Sequence, residues 1–145
     1  MPVLKLATGL GMMTLTIIIH SLFMVGGAKM AKWHRARFGL IKKEMTRAII
    51  LSALTVWMFL AVVLEALIWA LLYLFDPLVT ALPDLETAFY FSMVTFTTLG
   101  YGDVVLTGQW RMLASIQAAN GVIIFGWTTA LIFYFIQQIY KEESS

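Results

Sequence analysis

The chain has 145 residues, 61% of them hydrophobic and only 12% charged, with a net charge of +2 and a mean hydropathy of +0.86. Soluble domains carry about 25% charged residues, so this composition excludes a water-soluble globular protein and predicts one embedded in a membrane. The absence of cysteine excludes disulfides and thiolate metal sites.

Three apolar runs, roughly 6–27, 48–75 and 112–137, are long enough to cross about 30 Å of hydrocarbon, which takes about 20 residues of helix. The first exceeds a signal-peptide core and is followed by a poor cleavage site at Met24 to Ala28, so it reads as a retained helix. Residues 29–47 then carry Lys29, Lys32, Arg35, Arg37, Lys42, Lys43 and Arg47 against the single acid Glu44. The positive-inside rule makes this segment cytoplasmic. The N-terminus and the later loops are then outside and the C-terminal tail is inside. If the segment is helical, Met30, Trp33, Phe38, Ile41 and Met45 share one sector, with Gly39 a candidate break. Two readings stay open, a solvated basic linker or an amphipathic helix binding anionic lipid.

Residues 84–97 are apolar but too short to span, which predicts a re-entrant helix buried in protein. Asp84 after Pro83 suits its N-cap, and Glu86 suits its first turn. The next residues, Thr95 to Asp103, read Thr-Phe-Thr-Thr-Leu-Gly-Tyr-Gly-Asp. Gly100 and Gly102 reach positive φ at little cost, and alternating them with other residues turns successive carbonyls the same way. Thr98 adds a hydroxyl at one end and Asp103 a carboxylate at the other. Evenly spaced oxygens on one side of a strand form part of a cage for a dehydrated cation.

This run resembles the potassium-channel signature, and residues 84 to 135 are similar to the bacterial potassium channels of the pore-loop ion-channel family. The resemblance implies an all-α membrane protein with three transmembrane helices, a re-entrant pore helix and a selectivity-filter loop. It implies that carbonyls of Thr98, Leu99, Gly100 and Tyr101, with the Thr98 hydroxyl, replace the hydration shell of K⁺ along the strip that Gly102 closes. The implied ligand is the permeant K⁺ ion, with no other cofactor. One strip cannot surround an ion and the chain supplies one, so the expected assembly is a C4 homotetramer in the cell (inner) membrane. The family often has Val or Ile where Leu99 stands, but only the Leu99 carbonyl faces the ion. Thr97, Tyr90 and Asp103 are the expected filter supports, with Tyr90 placed to donate to Asp103. Some bacterial relatives have a Glu in place of Val94, paired with the filter aspartate, which implies different bracing here.

The expected organisation is a first helix at 1–28, the basic segment at 29–47, a pore domain at 48–140 and a tail at 141–145. Within the pore domain the outer helix takes 48–75, the pore helix 84–97, the filter 98–103 and the inner helix 110–140. In the inner helix, Gly121, Phe125 and Thr129 share one face. By resemblance, Gly121 is the hinge that bends the helix on opening and Gly126 a close-packing position; helix packing is the plainer alternative at Gly121. Phe133 and Ile136, with Gln137, are candidates for an intracellular constriction that gates by dewetting.

Polar groups at membrane depth pair with one another or line water. Gln117 and Asn120 are expected to hydrogen-bond between helices, or Asn120 to edge into the cavity. Glu65 is expected to be protonated or paired, with the pore helix or a neighbouring loop near Arg111 as its partner. His20 and His34 lack the companions of a metal or haem site and are assigned to packing or anchoring. Catalytic triads, phosphate loops and nucleic-acid signatures are absent, so neither an enzyme nor a nucleic-acid binder is expected. Two alternatives remain, a weakly selective cation channel and a non-conducting membrane scaffold or regulatory subunit with a relict pore loop.

Overall fold

The computed structural model describes residues 2–38, 43–76, 79 and 81–141. Within them the fold is all-helical, with α1 over Pro2–Phe38, α2 over Lys43–Leu74, α3 over Leu85–Phe96 and α4 over Trp110–Lys141. Val3–Trp33, Glu44–Leu74 and Trp110–Gln138 are each long and apolar enough to cross a membrane. The 12 residues of α3 rise only about 18 Å, which is too short.

The first helix does not stop near residue 28 but continues through Phe38. Residues 29–38 contain neither Gly nor Pro, and most are good helix formers. Their apolar side is also used, since Ala31 is buried in a cluster with Ile50, Leu54, Met58 and Phe135. Met30 is half-buried, while Trp33 and Met45 are exposed. Gly39, Ile41 and Lys42 lie outside the described residues.

Small residues let α1 approach its neighbours closely, as in other membrane bundles. A Cβ at Gly9 would lie 2.7 Å from Ile116 Cδ1 of α4, and one at Gly27 would lie 2.8 Å from Leu54 Cδ1 of α2. Trp57 Nε1 donates to the Phe23 carbonyl at 2.9 Å, and the two rings pack at 4.9 Å between centroids. At the other end, Lys5 Nζ lies 2.9 Å from Asp76 Oδ2 and 3.3 Å from the Trp110 ring centroid. The opposite face of α1 exposes Leu4, Leu10, Leu15, Ile18, Leu22 and Val25, an apolar surface suited to lipid. The larger core lies around α3 and includes Trp69, Tyr73, Phe91, Phe96, Leu113 and Ile124.

Candidate functional site

The site is built on the short helix α3. Asp84 caps its start in extended conformation (φ −143°, ψ 169°), accepting the Thr87 amide at 2.8 Å. That amide holds the Asp84 carboxyl below the usual carboxylate range. Midway along α3, Ser92 Oγ donates to the Ala66 carbonyl of α2 at 2.5 Å. Gln117 of α4 donates from Nε2 to Ser92 Oγ at 2.7 Å and to the Ser92 carbonyl at 3.3 Å. Its Oε1 accepts the Tyr73 hydroxyl of α2 at 2.9 Å. Ser92, Gln117 and Tyr73 are fully buried, so this network fixes α3 in depth and rotation relative to both long helices. Gln117→Leu would leave the Tyr73 and Ser92 hydroxyls short of partners. The expected loss is about 1–3 kcal/mol, read as a lower thermal unfolding midpoint of the detergent-solubilised protein.

The end of α3 is tightly placed. A Cβ at Gly121 of α4 would overlap the Phe96 carbonyl oxygen and lie 2.8 Å from its carbon. The Phe96 ring meets Phe125 edge-on at 6.1 Å. Thr97 caps the helix, its amide and hydroxyl both bonded to the Met93 carbonyl, at 3.0 and 2.8 Å.

Beyond the cap the backbone alternates. Thr98, Gly100 and Gly102 have φ of 61°, 55° and 81°, all in the left-handed region. Thr98 is the only non-glycine residue with positive φ among the described residues, and such a conformation costs a β-branched residue about 1–3 kcal/mol. The amides of Leu99 and Gly100 both turn back onto the Val94 carbonyl, at 3.0 and 3.3 Å. The first half of the strip is therefore anchored to the helix end through its N–H groups, while its carbonyls accept no backbone hydrogen bond from the described residues. Leu99 and Tyr101 are 57% and 67% exposed, and nothing lies within 4 Å of a Cβ built on Gly100 or Gly102. Tyr90 donates its hydroxyl to Asp103 Oδ2 at 2.6 Å. This bond holds the Asp103 carboxyl below its usual range and pushes the Tyr90 phenol up. Behind the strip lies a cleft of about 260 Å³ lined by Val94, Thr95, Val104 and Arg111, among others.

A family model described as "Ion channel" matches residues 53–138, more than half of the chain. The chain belongs to the ion channel family. No curated protein and no solved structure matches it significantly.

In the channel, the inner-helix residues singled out from sequence separate into two groups. Gly121 and Phe125 are turned toward the end of α3, while Gly126, Thr129 and Phe133 are exposed and Ile136 is half-buried. The Thr129 hydroxyl bonds back to the Phe125 carbonyl at 2.9 Å. Asn120 does not edge into a cavity. It is fully buried, and its Nδ2 donates to Thr16 Oγ1 of α1 at 2.6 Å.

Glu65 is paired, but not near Arg111. Its Oε1 lies 3.0 Å from His20 Nδ1 of α1, because α1 packs on α2 at this depth and buries both groups completely. His20 Nε2 lies 3.1 Å from the Thr128 hydroxyl of α4. The sequence carried a usable signal for this pair. A base and an acid each placed in an apolar span are costly alone, and each is the other's cheapest partner. Lys5, Thr16, Tyr73, Ser92 and Thr128 gave no comparable signal, since hydroxyls and helix-end lysines are common in membrane helices.

Proposed function

We propose that four copies of the chain bring their strips 98–103 together around K⁺ and conduct it passively, stripping its water with the backbone oxygens of Thr98, Leu99, Gly100 and Tyr101. The observation that carries this reading is the left-handed alternation at residues 98, 100 and 102, joined to amides committed to the helix end. Carbonyls in such a strand turn to the side away from their amides. The exposed strip also supports assembly, since Leu99 and Tyr101 lack cover within one chain. The C-terminal end of α3 adds a partial negative charge near the strip, and Asp84, Glu86 and Asp103 make an acidic mouth that concentrates cations.

In this arrangement the N-terminus is outside, the C-terminus is cytoplasmic, and the basic residues of 29–47 meet anionic lipid. Gly121 flexes α4 below the filter, and Phe133 with Ile136 narrows the inner end. Flux into liposomes under K⁺ and Na⁺ gradients tests the reading, with Gly102→Ala as a control. Selective K⁺ entry blocked by Ba²⁺, from a particle of four chains, is expected. Comparable Na⁺ entry would instead favour a weakly selective cation channel. That reading draws support from Val94, an apolar residue on the cleft behind the strip where some relatives place a bracing carboxylate. A folded protein with no flux would favour the scaffold.

The Tyr90–Asp103 bond gives a second prediction. With the carboxyl lowered, its stabilisation is full above the ordinary carboxylate value of about 4 and is lost as pH falls through the lowered Asp103 value. With the phenol raised, it is full below about 10 and lost as pH rises through the raised Tyr90 value. Tyr90→Phe should therefore move the acid limb of the flux–pH profile upward, toward pH about 4. An acid limb that stays in place would show that this bond does not govern the outer mouth.

A further inference from the structure

Away from the filter, α1, α2 and α4 meet along a buried polar seam. Thr16 and His20 of α1, Glu65 and Trp69 of α2, and Asn120 of α4 are all fully buried, and Thr128 of α4 joins them through its bond to His20. Three side-chain atoms there lack partners, namely Glu65 Oε2, Asn120 Oδ1 and the Trp69 indole nitrogen. In so apolar an interior, unpartnered acceptors beside a carboxyl–imidazole contact give protons and water a foothold.

Thr128 distinguishes the seam from ordinary packing. The hydroxyls of Thr8, Thr14, Thr55 and Thr129 each donate to the carbonyl four residues back, as hydroxyls in membrane helices commonly do. Among the described residues Thr128 makes no such bond, and its hydroxyl lies against His20 Nε2 at 3.1 Å instead. When the Thr128 hydroxyl donates to Nε2, the ring proton sits on Nδ1, facing Glu65 Oε1; in the other tautomer the roles reverse. If the imidazole takes up a second proton, Nε2 becomes a donor. Thr128 must then accept, and its own O–H turns to donate to the Ile124 carbonyl one turn back. Such back-bonding bends helices.

We propose that His20 and Glu65 form a proton-binding site whose occupancy reverses the hydrogen bond to Thr128 and so bends the inner helix, making conduction pH-dependent. The readout in flux rests on the conduction reading above; the proton site itself does not. Among the described residues, the ionisable groups facing the site are only these two. α1 contributes His20, α2 contributes Glu65, and α4 contributes the neutral Thr128 and Asn120. The buried Tyr73 of α2 gives its hydroxyl to Gln117, and α3 enters only that second network, through Ser92. The net-neutral pair is favoured at this depth because an uncompensated charge is costly there. Adding a proton to it loosens the packing of α1 on α4.

The test uses the full chain in liposomes, between pH about 5.5 and 8.5, a range that stays above the Asp103 limb. Wild type and His34→Gln should change K⁺ flux about tenfold across it. Glu65→Gln, which keeps an acceptor for Nδ1–H, and Thr128→Val, which keeps the shape without the hydroxyl, should give flat profiles. Ring-nitrogen NMR of His20, assigned with His34→Gln, supplies a readout independent of flux. Its ring-nitrogen signals should respond to pH differently in Glu65→Gln, which removes the ionisable partner 3.0 Å away. A pH response retained in Thr128→Val, or a His20 titration indifferent to Glu65→Gln, overturns the proposal. Should Glu65→Gln fail to fold, Thr128→Val alone decides, by its flux profile and by the His20 titration. A wild type that passes no K⁺ at any pH overturns the conduction reading instead, and the NMR titration still decides the proton site.

Discussion

Gly121→Ala is expected to leave little assembled channel. The added Cβ meets the backbone of Phe96, with the carbonyl oxygen overlapped, the carbonyl carbon at 2.8 Å and Cα at 3.3 Å, so no flexible side-chain end can give way. Nor can α3 withdraw, because Ser92 ties it to Ala66 and Gln117. Overpacking against fixed backbone costs about 1–3 kcal/mol or more per chain, which should appear as a depressed unfolding midpoint and loss of the proposed tetramer on size-exclusion. The sign separates two roles for this glycine. Were Gly121 only a flexible point in α4, alanine would stabilise the helix by about 1 kcal/mol, and the midpoint would rise. A raised or unchanged midpoint would therefore remove the close approach to Phe96 as the reason for glycine here.

Gly102→Ala is expected to abolish K⁺ flux while leaving the fold intact. Nothing crowds that position, so the penalty is conformational and not steric against neighbours. At φ 81° an L-residue loses about 1–2 kcal/mol. In the proposed tetramer the four copies together lose about 4–8 kcal/mol, and each 1.4 kcal/mol is a factor of about ten. The population with all four strips in register then falls about a thousandfold or more. Unaltered thermal stability with absent flux is the expected pair of results. Undiminished flux would mean that residue 102 does not set the strip's geometry.

The two variants also show which parts of the molecule were legible in the sequence. Three spans and a short intervening helix followed from run lengths alone, and Asp84 announced the start of α3. The positive φ at Gly100 and Gly102 was readable because glycine is the inexpensive way to obtain it. The same conformation at Thr98 was not readable, since a β-branched residue predicts the opposite and the strain is imposed by the helix cap before it. The continuation of α1 past residue 28 was hidden by charge. Lys29, Lys32 and Arg35 mark a membrane boundary, yet they say nothing against helix, and the small residue Ala31 between them is what packs. Glu65 was recognisable as a group in need of a partner, but which helix supplied the partner depends on how α1 lies against α2, information that no local pattern carries. The same is true of Gln117, whose partners on α2 and α3 are chosen by three-dimensional packing alone.

The first helix lies almost wholly outside the matched stretch at 53–138, yet it supplies Thr16 to Asn120 and His20 to Glu65 and Thr128. Excising it would strand an amide, a carboxyl and a hydroxyl against hydrocarbon, each at a cost of several kcal/mol by the usual transfer scales. The pore of this protein is thus not a portable cassette. Grafts or truncations that respect the borders of similarity, and ignore this helix, should fail in the bilayer before any ion reaches them.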